Sequence, residues 1–234
     1  MQIIENFNGI VNCNFDNKDD FLNNRGKLIS TTMILDEFNS VDGIDIYKTI
    51  YDPNKALRIY LDFIEGCSHY DDKMIMELLK RQEKVKLTDF PTGIVTIKNK
   101  VIGQEIPFYE KYKTIYDYIL NNQNIMPIEI YLKVLKILRE LLDNEIIYRD
   151  VHAKNFLISP DNSTIKLIDF DPHFISTTNN KATKESMINN LKSMLNKLNS
   201  ITNIKFSSNY DNANTLEEIE ESIKENQYIL TKNS

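Results

Sequence analysis

The sequence predicts an α+β fold in two lobes, a five-stranded antiparallel sheet followed by a mostly helical second half. Three observations predict it. Apolar and β-branched runs dominate residues 27–50 and 94–106. From Tyr112 onward the apolar spacing becomes helical. The 234 residues, 41% apolar and 26% charged, suffice for a core that needs no disulfide or structural metal.

Taken in order, residues 1–25 read as a mixed polar N-terminal extension with one short helix. The runs 27–30, 33–38 and 44–50 read as a three-stranded meander, with Ser40-Val-Asp-Gly43 as the turn before its last strand. Helical spacing follows over 55–65 and 72–82. The runs 94–97 and 101–106 flank a polar Lys98-Asn-Lys100 turn and form a hairpin. A first lobe thus spans 26–110 and a second 111–234. In the second, 114–121 is a short helix and 127–143 a long one, with Ile130, Val134, Leu138 and Leu141 on one stripe. Pro127 suits a first helical turn. Two short apolar runs, 155–158 and 165–168, are joined by the turn Ser159-Pro-Asp-Asn162. Helices over 184–198 and 215–228 complete the chain, with a loop at 206–214.

Composition excludes several functions. None of the six glycines stands in a G-x-G pattern, which removes the Gly-rich dinucleotide and Walker-type phosphate loops. A net charge of −6 and a pI near 5.2 argue against a nucleic-acid partner. Cys13 and Cys67 match no zinc spacing and read as free thiols, and His69, His152 and His173 are scattered. The acidic N-terminus has no basic leader region, and no apolar run approaches ~20 residues. The expected location is therefore cytoplasmic, with delivery into another cell left open.

One segment carries chemistry: Ile147-Tyr-Arg-Asp-Val-His-Ala-Lys-Asn-Phe-Leu-Ile158, followed by Asp169-Phe-Asp171. It resembles the protein-kinase-like superfamily, in a minimal, atypical form of bacterial type. Tyr148-Arg149-Asp150 is similar to the family's catalytic triplet, with Asn155 five positions after Asp150. Asp169-Phe170-Asp171 resembles the Asp-Phe-Gly element. The likeness covers roughly 26–200 and is most specific over 147–171. It implies a catalytic loop at 148–155, with Asp150 orienting an acceptor hydroxyl. It also implies that Asn155 and Asp169 hold Mg²⁺ through hard oxygens.

The same resemblance implies an ATP cradle upstream. Lys48, on the third strand of the predicted meander, would hold the phosphates. Glu77 is its preferred helix partner and Glu65 the competitor. Phe108, Tyr109 and Glu110 would border adenine, and since Pro107 has no N–H, these three must supply any backbone donor. Ser30, Thr31 and Thr32 take the place of the family's Gly-rich loop, between the first two strands. His152 and Asp171 look more like the aminoglycoside and choline phosphotransferase branch, whereas Arg149 looks more like protein kinases; Lys154 could replace a missing positive charge. Only 63 residues follow Asp171, a reduced C-terminal lobe. The expected activity is ATP- and Mg²⁺-dependent transfer to a Ser/Thr hydroxyl of a protein substrate. The alternatives are a small-molecule kinase and a pseudokinase binding module.

Overall fold

The computed structural model describes residues 2–5, 11–35, 41–60, 85, 90–98, 100–125, 127–170, 174–177, 180–203 and 209–232. The chain divides into two compact units. One comprises Met1–Glu83 and Asp89–Glu110, the other Lys84–Thr88 and Lys111–Ser234.

Among the described residues the first unit is built on a mixed sheet of seven strands rather than the expected five. They are β1 (Gln2–Glu5), β2 (Val11–Phe15), β3 (Leu28–Leu35), β4 (Val41–Lys48), β5 (Lys55–Tyr60), β6 (Gly93–Ile97) and β7 (Lys100–Pro107), in the order β1-β2-β6-β7-β5-β4-β3. Neighbours are antiparallel except β2 and β6, which run parallel from Val11↔Gly93 to Phe15↔Ile97. The N-terminal residues read as an extension thus supply two strands, besides the helix α1 (Lys18–Asn24). Asn17 caps that helix, accepting from the Asp20 N–H at 2.9 Å.

Three other expectations change here. The runs 27–30 and 33–38 are not two strands. One strand, β3, passes straight through Ser30-Thr-Thr-Met33, because the β-branched Ile29, Thr31, Thr32 and Ile34 favour extended backbone. Gly43 is no turn residue but lies within β4, opposite Met33. Residues 55–60 are strand, not helix. β5 lies between β4 and β7, and its residues 56–60 are all buried, so the run lacks the alternation that marks a half-exposed strand. The expected helix over 72–82 lies outside the described residues.

Side-chain alternation divides the sheet's faces. Leu57 and Ile59 join Cys13, Phe15, Phe21, Tyr47, Val95 and Ile102 in one core cluster. Phe21 meets Phe15 and Tyr47 edge-on, with ring centroids 5.2 and 5.8 Å apart. Gly103 opposes Ile59, and a Cβ there would stand 2.2 Å from the Arg58 carbonyl oxygen. Glu105 is fully buried at the core's polar edge. It accepts from Lys55 Nζ at 2.7 Å, from Thr92 Oγ1 at 2.6 Å and from the Tyr51 hydroxyl. Burial in this cluster pushes the Cys13 thiol up to about 11 and the Tyr51 phenol upward.

The second unit is helical with two small sheets. Its α-helices among the described residues are α2 (Ile115–Asn121), α3 (Ile128–Asp143), α4 (Lys181–Ile201) and α5 (Leu216–Lys232). β8 (Lys113–Thr114), β10 (Phe156–Ile158) and β11 (Ile165–Leu167) form one sheet, and β9 (Ile147–Tyr148) with β12 (Ile175–Ser176) the other. The α3 stripe read from the sequence is buried, Val134, Leu138 and Leu141 completely. Arg139 on α3 reaches Glu217 and Glu220 on α5 at 3.3 and 2.5 Å. The Tyr131 hydroxyl donates to Asn199 Oδ1 on α4 at 2.9 Å. Among the described residues no helix is long and apolar enough to cross a membrane.

Candidate functional site

The segment 147–171 begins at the end of α3. The helix closes where the Asn144 N–H bonds to carbonyls of its last turn, and Glu145 takes a positive φ of 59° that turns the chain out. β9 follows at once, paired with β12 through Tyr148↔Ile175. The backbone is then pinned on both sides of Arg149. Its N–H donates to the Phe174 carbonyl at 2.8 Å, and its carbonyl accepts from Asn190 Nδ2 on α4 at 2.6 Å. The next residue, Asp150, therefore starts its loop from a fixed position.

Asn155 organises the loop. Its amide nitrogen donates to Asp150 Oδ2 at 2.8 Å, to the Asp150 carbonyl at 3.0 Å and to the Tyr148 hydroxyl at 2.7 Å. With the nitrogen so committed, the amide oxygen is the atom left to meet a ligand. The Tyr148 hydroxyl in turn bonds to the carbonyls of Ile168 and Asp169, at 3.3 and 3.2 Å. Asp169 has a positive φ of 65°, a conformation that Asp tolerates better than most residues. One buried tyrosine thus ties the 150–155 loop to the turn at 169. Its ring lies 5.6 Å from that of Phe170.

A hairpin spaces the two parts. β10 and β11 pair from Phe156↔Leu167 to Ile158↔Ile165, and the Ile168 N–H closes onto the Asn155 carbonyl at 2.8 Å. At its far end Asn162 has a φ of 60°, and Ser159 donates to Asp161 at 2.5 Å. The Ser159 hydroxyl, with Ser163 beside it, holds the Asp161 carboxyl down at about 2.

His152 Nε2 lies 3.3 Å from Asp150 Oδ2, and both side chains are partly exposed. Asp150, His152 and the exposed Lys154 open into a cavity of about 450 Å³, whose far wall is α4. Asp150, His152, Lys154 and Asn155 are therefore together on one loop. Asp169 is linked to them through Tyr148. Asp171 and His173 lie outside the described residues, as do Glu77, Glu65, Cys67 and His69. Among the described residues there is no cluster of three or more His, Cys, Asp or Glu able to hold a metal ion.

The upstream candidates are placed differently from expectation. Lys48 ends β4, the second strand of the β3–β4–β5 meander and not the third. Its ammonium pairs with Glu110 Oε1 at 2.5 Å and stands 5.1 Å from the centre of the Phe108 ring. Lys48, Phe108 and Glu110 are thus brought together. The Phe108 N–H already donates to the Asn54 carbonyl at 2.6 Å, so it is not a donor for a base edge. Tyr109 lies beside it in the segment after β7. Ser30, Thr31 and Thr32 lie inside β3, not in a loop between strands, since the strand spans Leu28–Leu35, with its pairing to β4 shifting register between Leu28 and Ser30.

The third strand carries Arg58 instead. It is buried, donates to the Tyr60 hydroxyl at 2.9 Å, and its guanidinium lies 5.1 Å from the Tyr60 ring centre. The lone cation in Ala56-Leu-Arg-Ile-Tyr60 was the available signal, and the helical reading of 55–65 hid it. Tyr116 and Lys197, which line the cavity, carried no sequence signal. No family model matches the chain, and no curated protein matches it.

Proposed function

We propose that the chain is an ATP- and Mg²⁺-dependent phosphotransferase, a minimal kinase-like protein acting on a Ser/Thr hydroxyl of a protein. The observation that carries this reading is the Asn155 amide nitrogen held on both the Asp150 carboxylate and Tyr148, with Tyr148 bonded to the Asp169 carbonyl. Phosphoryl transfer asks mainly for alignment and charge neutralisation, and this arrangement holds the Asp150 carboxylate on the Asn155 amide and braces the backbone that carries Asp169. Asp150 orients the acceptor hydroxyl and takes its proton. The hydroxyl oxygen bonds to the γ-phosphorus, the bond to the β-phosphate oxygen breaks, and ADP leaves. Asn155 and Asp169 suit Mg²⁺, which takes few protein oxygens and fills its shell with phosphate and water; it would neutralise the phosphate charge. Lys48 and the buried Arg58 are the candidate phosphate cations of the first unit, and the segment 108–110 the candidate base contact.

A small-molecule kinase is the second reading, favoured by the cavity of about 450 Å³ beside Asp150, a volume typical of small-ligand sites. The deciding experiment supplies γ-labelled ATP, Mg²⁺ and a mixture of Ser/Thr peptides. Label on peptide, reduced by about 10²–10⁴-fold in Asp150→Ala, is the expected result. Turnover only with an added sugar or amino alcohol selects the second reading. Absence of nucleotide binding by calorimetry, with and without Mg²⁺, overturns both.

A further inference from the structure

The cavity beside Asp150 has a charge pattern that bears on the acceptor. One wall is the loop carrying Asp150, His152 and Lys154. The opposite wall is one face of α4, where Asn190, Met194 and Lys197 recur at helical spacing. Tyr116 on α2 joins the walls. Its N–H donates to the Ala153 carbonyl at 3.4 Å, and Lys197 Nζ stands 5.5 Å from the centre of its ring. The Tyr116 ring thus favours a position of the Lys197 ammonium among the residues that line the cavity. Among the described residues that line the cavity, Asp150 is the only acid, against Lys154 and Lys197. Two ammonium groups against one carboxylate leave these lining residues with a net positive charge, and Asp150 is already bonded to Asn155 and lies beside His152.

Distance sets the register. Asn190 touches the Arg149 carbonyl, next to Asp150. Lys197 lies seven residues further along α4, about 10 Å at 1.5 Å per residue. An extended peptide covers that span in about three residues. The geometry points to an acidic acceptor: a Ser or Thr whose polypeptide carries Asp or Glu about three residues away, with the carboxylate on Lys197 and the hydroxyl at Asp150. This rests on the phosphotransferase reading and specifies its substrate. Cationic acceptors, such as amino sugars, meet two lysines here and are disfavoured.

The test measures transfer from γ-labelled ATP with Mg²⁺ to serine peptides that differ only in one residue, Glu, Gln or Lys, placed about three positions before or after the serine. The full chain is compared with Lys197→Glu and Lys197→Gln, which alter an exposed helix position away from the catalytic loop. The parent is expected to favour Glu over Lys by at least about tenfold in kcat/KM, the scale of one charge pair in a partly desolvated site. Lys197→Gln removes the preference and Lys197→Glu reverses it, read as the ratio of kcat/KM between the Glu and Lys peptides. A parent indifferent to the added charge, or a preference that survives Lys197→Glu, overturns the inference and leaves the phosphotransferase reading standing. Transfer confined to a free hydroxy acid overturns the polypeptide form. No label on any peptide or small alcohol, whatever its charge, is instead the failure of the phosphotransferase reading, and the inference falls with it.

Discussion

Tyr148 shows how much one hydroxyl can organise. It is fully buried, accepts from Asn155 and donates toward the carbonyls at 168 and 169. Tyr148→Phe keeps the ring against Phe170 and deletes those bonds. The expected cost is about 1–2 kcal/mol, because the Asp169 carbonyl and one Asn155 donor direction lose a buried partner. Urea denaturation measures it. In the proposed activity the same variant lowers kcat by about tenfold with little change in KM for ATP, since Tyr148 positions groups without touching substrate. A variant as stable and as active as the parent removes Tyr148 as the brace between loop and turn. The grouping of these candidate residues was legible because they lie close in sequence: Asp150 and Asn155 share one loop, and one short hairpin leads from it to Asp169. The brace itself was not, because a tyrosine ahead of Arg-Asp looks the same whether its hydroxyl points to solvent or into the turn.

At the level of elements, Gly103 marks where the sheet has no room. It sits on β7 opposite Ile59 of β5, and any Cβ would meet the Arg58 carbonyl at 2.2 Å and Ile59 Cδ1 at 2.9 Å. Backbone cannot yield as a flexible side-chain tip can, so Gly103→Ala must part β5 from β7 locally. The expected destabilisation is about 1–3 kcal/mol, the usual range for overpacking, read from the urea midpoint. A midpoint equal to the parent's would mean that the two strands are not paired in this register. The same two strands show where sequence reading works and where it stops. β6 and β7 were legible because a polar turn interrupts two apolar runs. α3 was legible because its stripe keeps one period over about three turns. β5 was not, because a fully buried strand loses the alternation that identifies it, and its spacing of Leu57 and Tyr60 also fits a helix. β3 was split in two because Ser30 to Thr32 are polar, although β-branched threonine favours a strand.

For the molecule as a whole, the least expected feature is that the N-terminal segment is part of the sheet. β2 pairs in parallel with β6 across some eighty residues of chain, a contact that no local pattern announces. Cys13 and Phe15 on β2 are fully buried in the cluster that includes Val95 on β6 and Leu57 on β5. A dispensable extension and an integral strand predict different behaviour. Phe15→Ala is expected to cost about 3–5 kcal/mol, the range for a buried phenylalanine whose site does not collapse. Removing residues 1–16 should do more. It deletes both strands, leaves β6 as an open edge, and exposes Val95 and the ring of Phe21 that Phe15 covers. An unpaired, apolar edge recruits other chains, so the truncated protein is expected to elute as aggregate in size-exclusion chromatography at concentrations where the full chain does not. Phe15→Ala, which keeps the β2 backbone, should remain unaggregated while melting earlier, which separates loss of packing from loss of pairing. A truncated chain that is monomeric and as resistant to urea as the parent would return residues 1–16 to the status of an appendage and leave a five-stranded antiparallel sheet as the folding core.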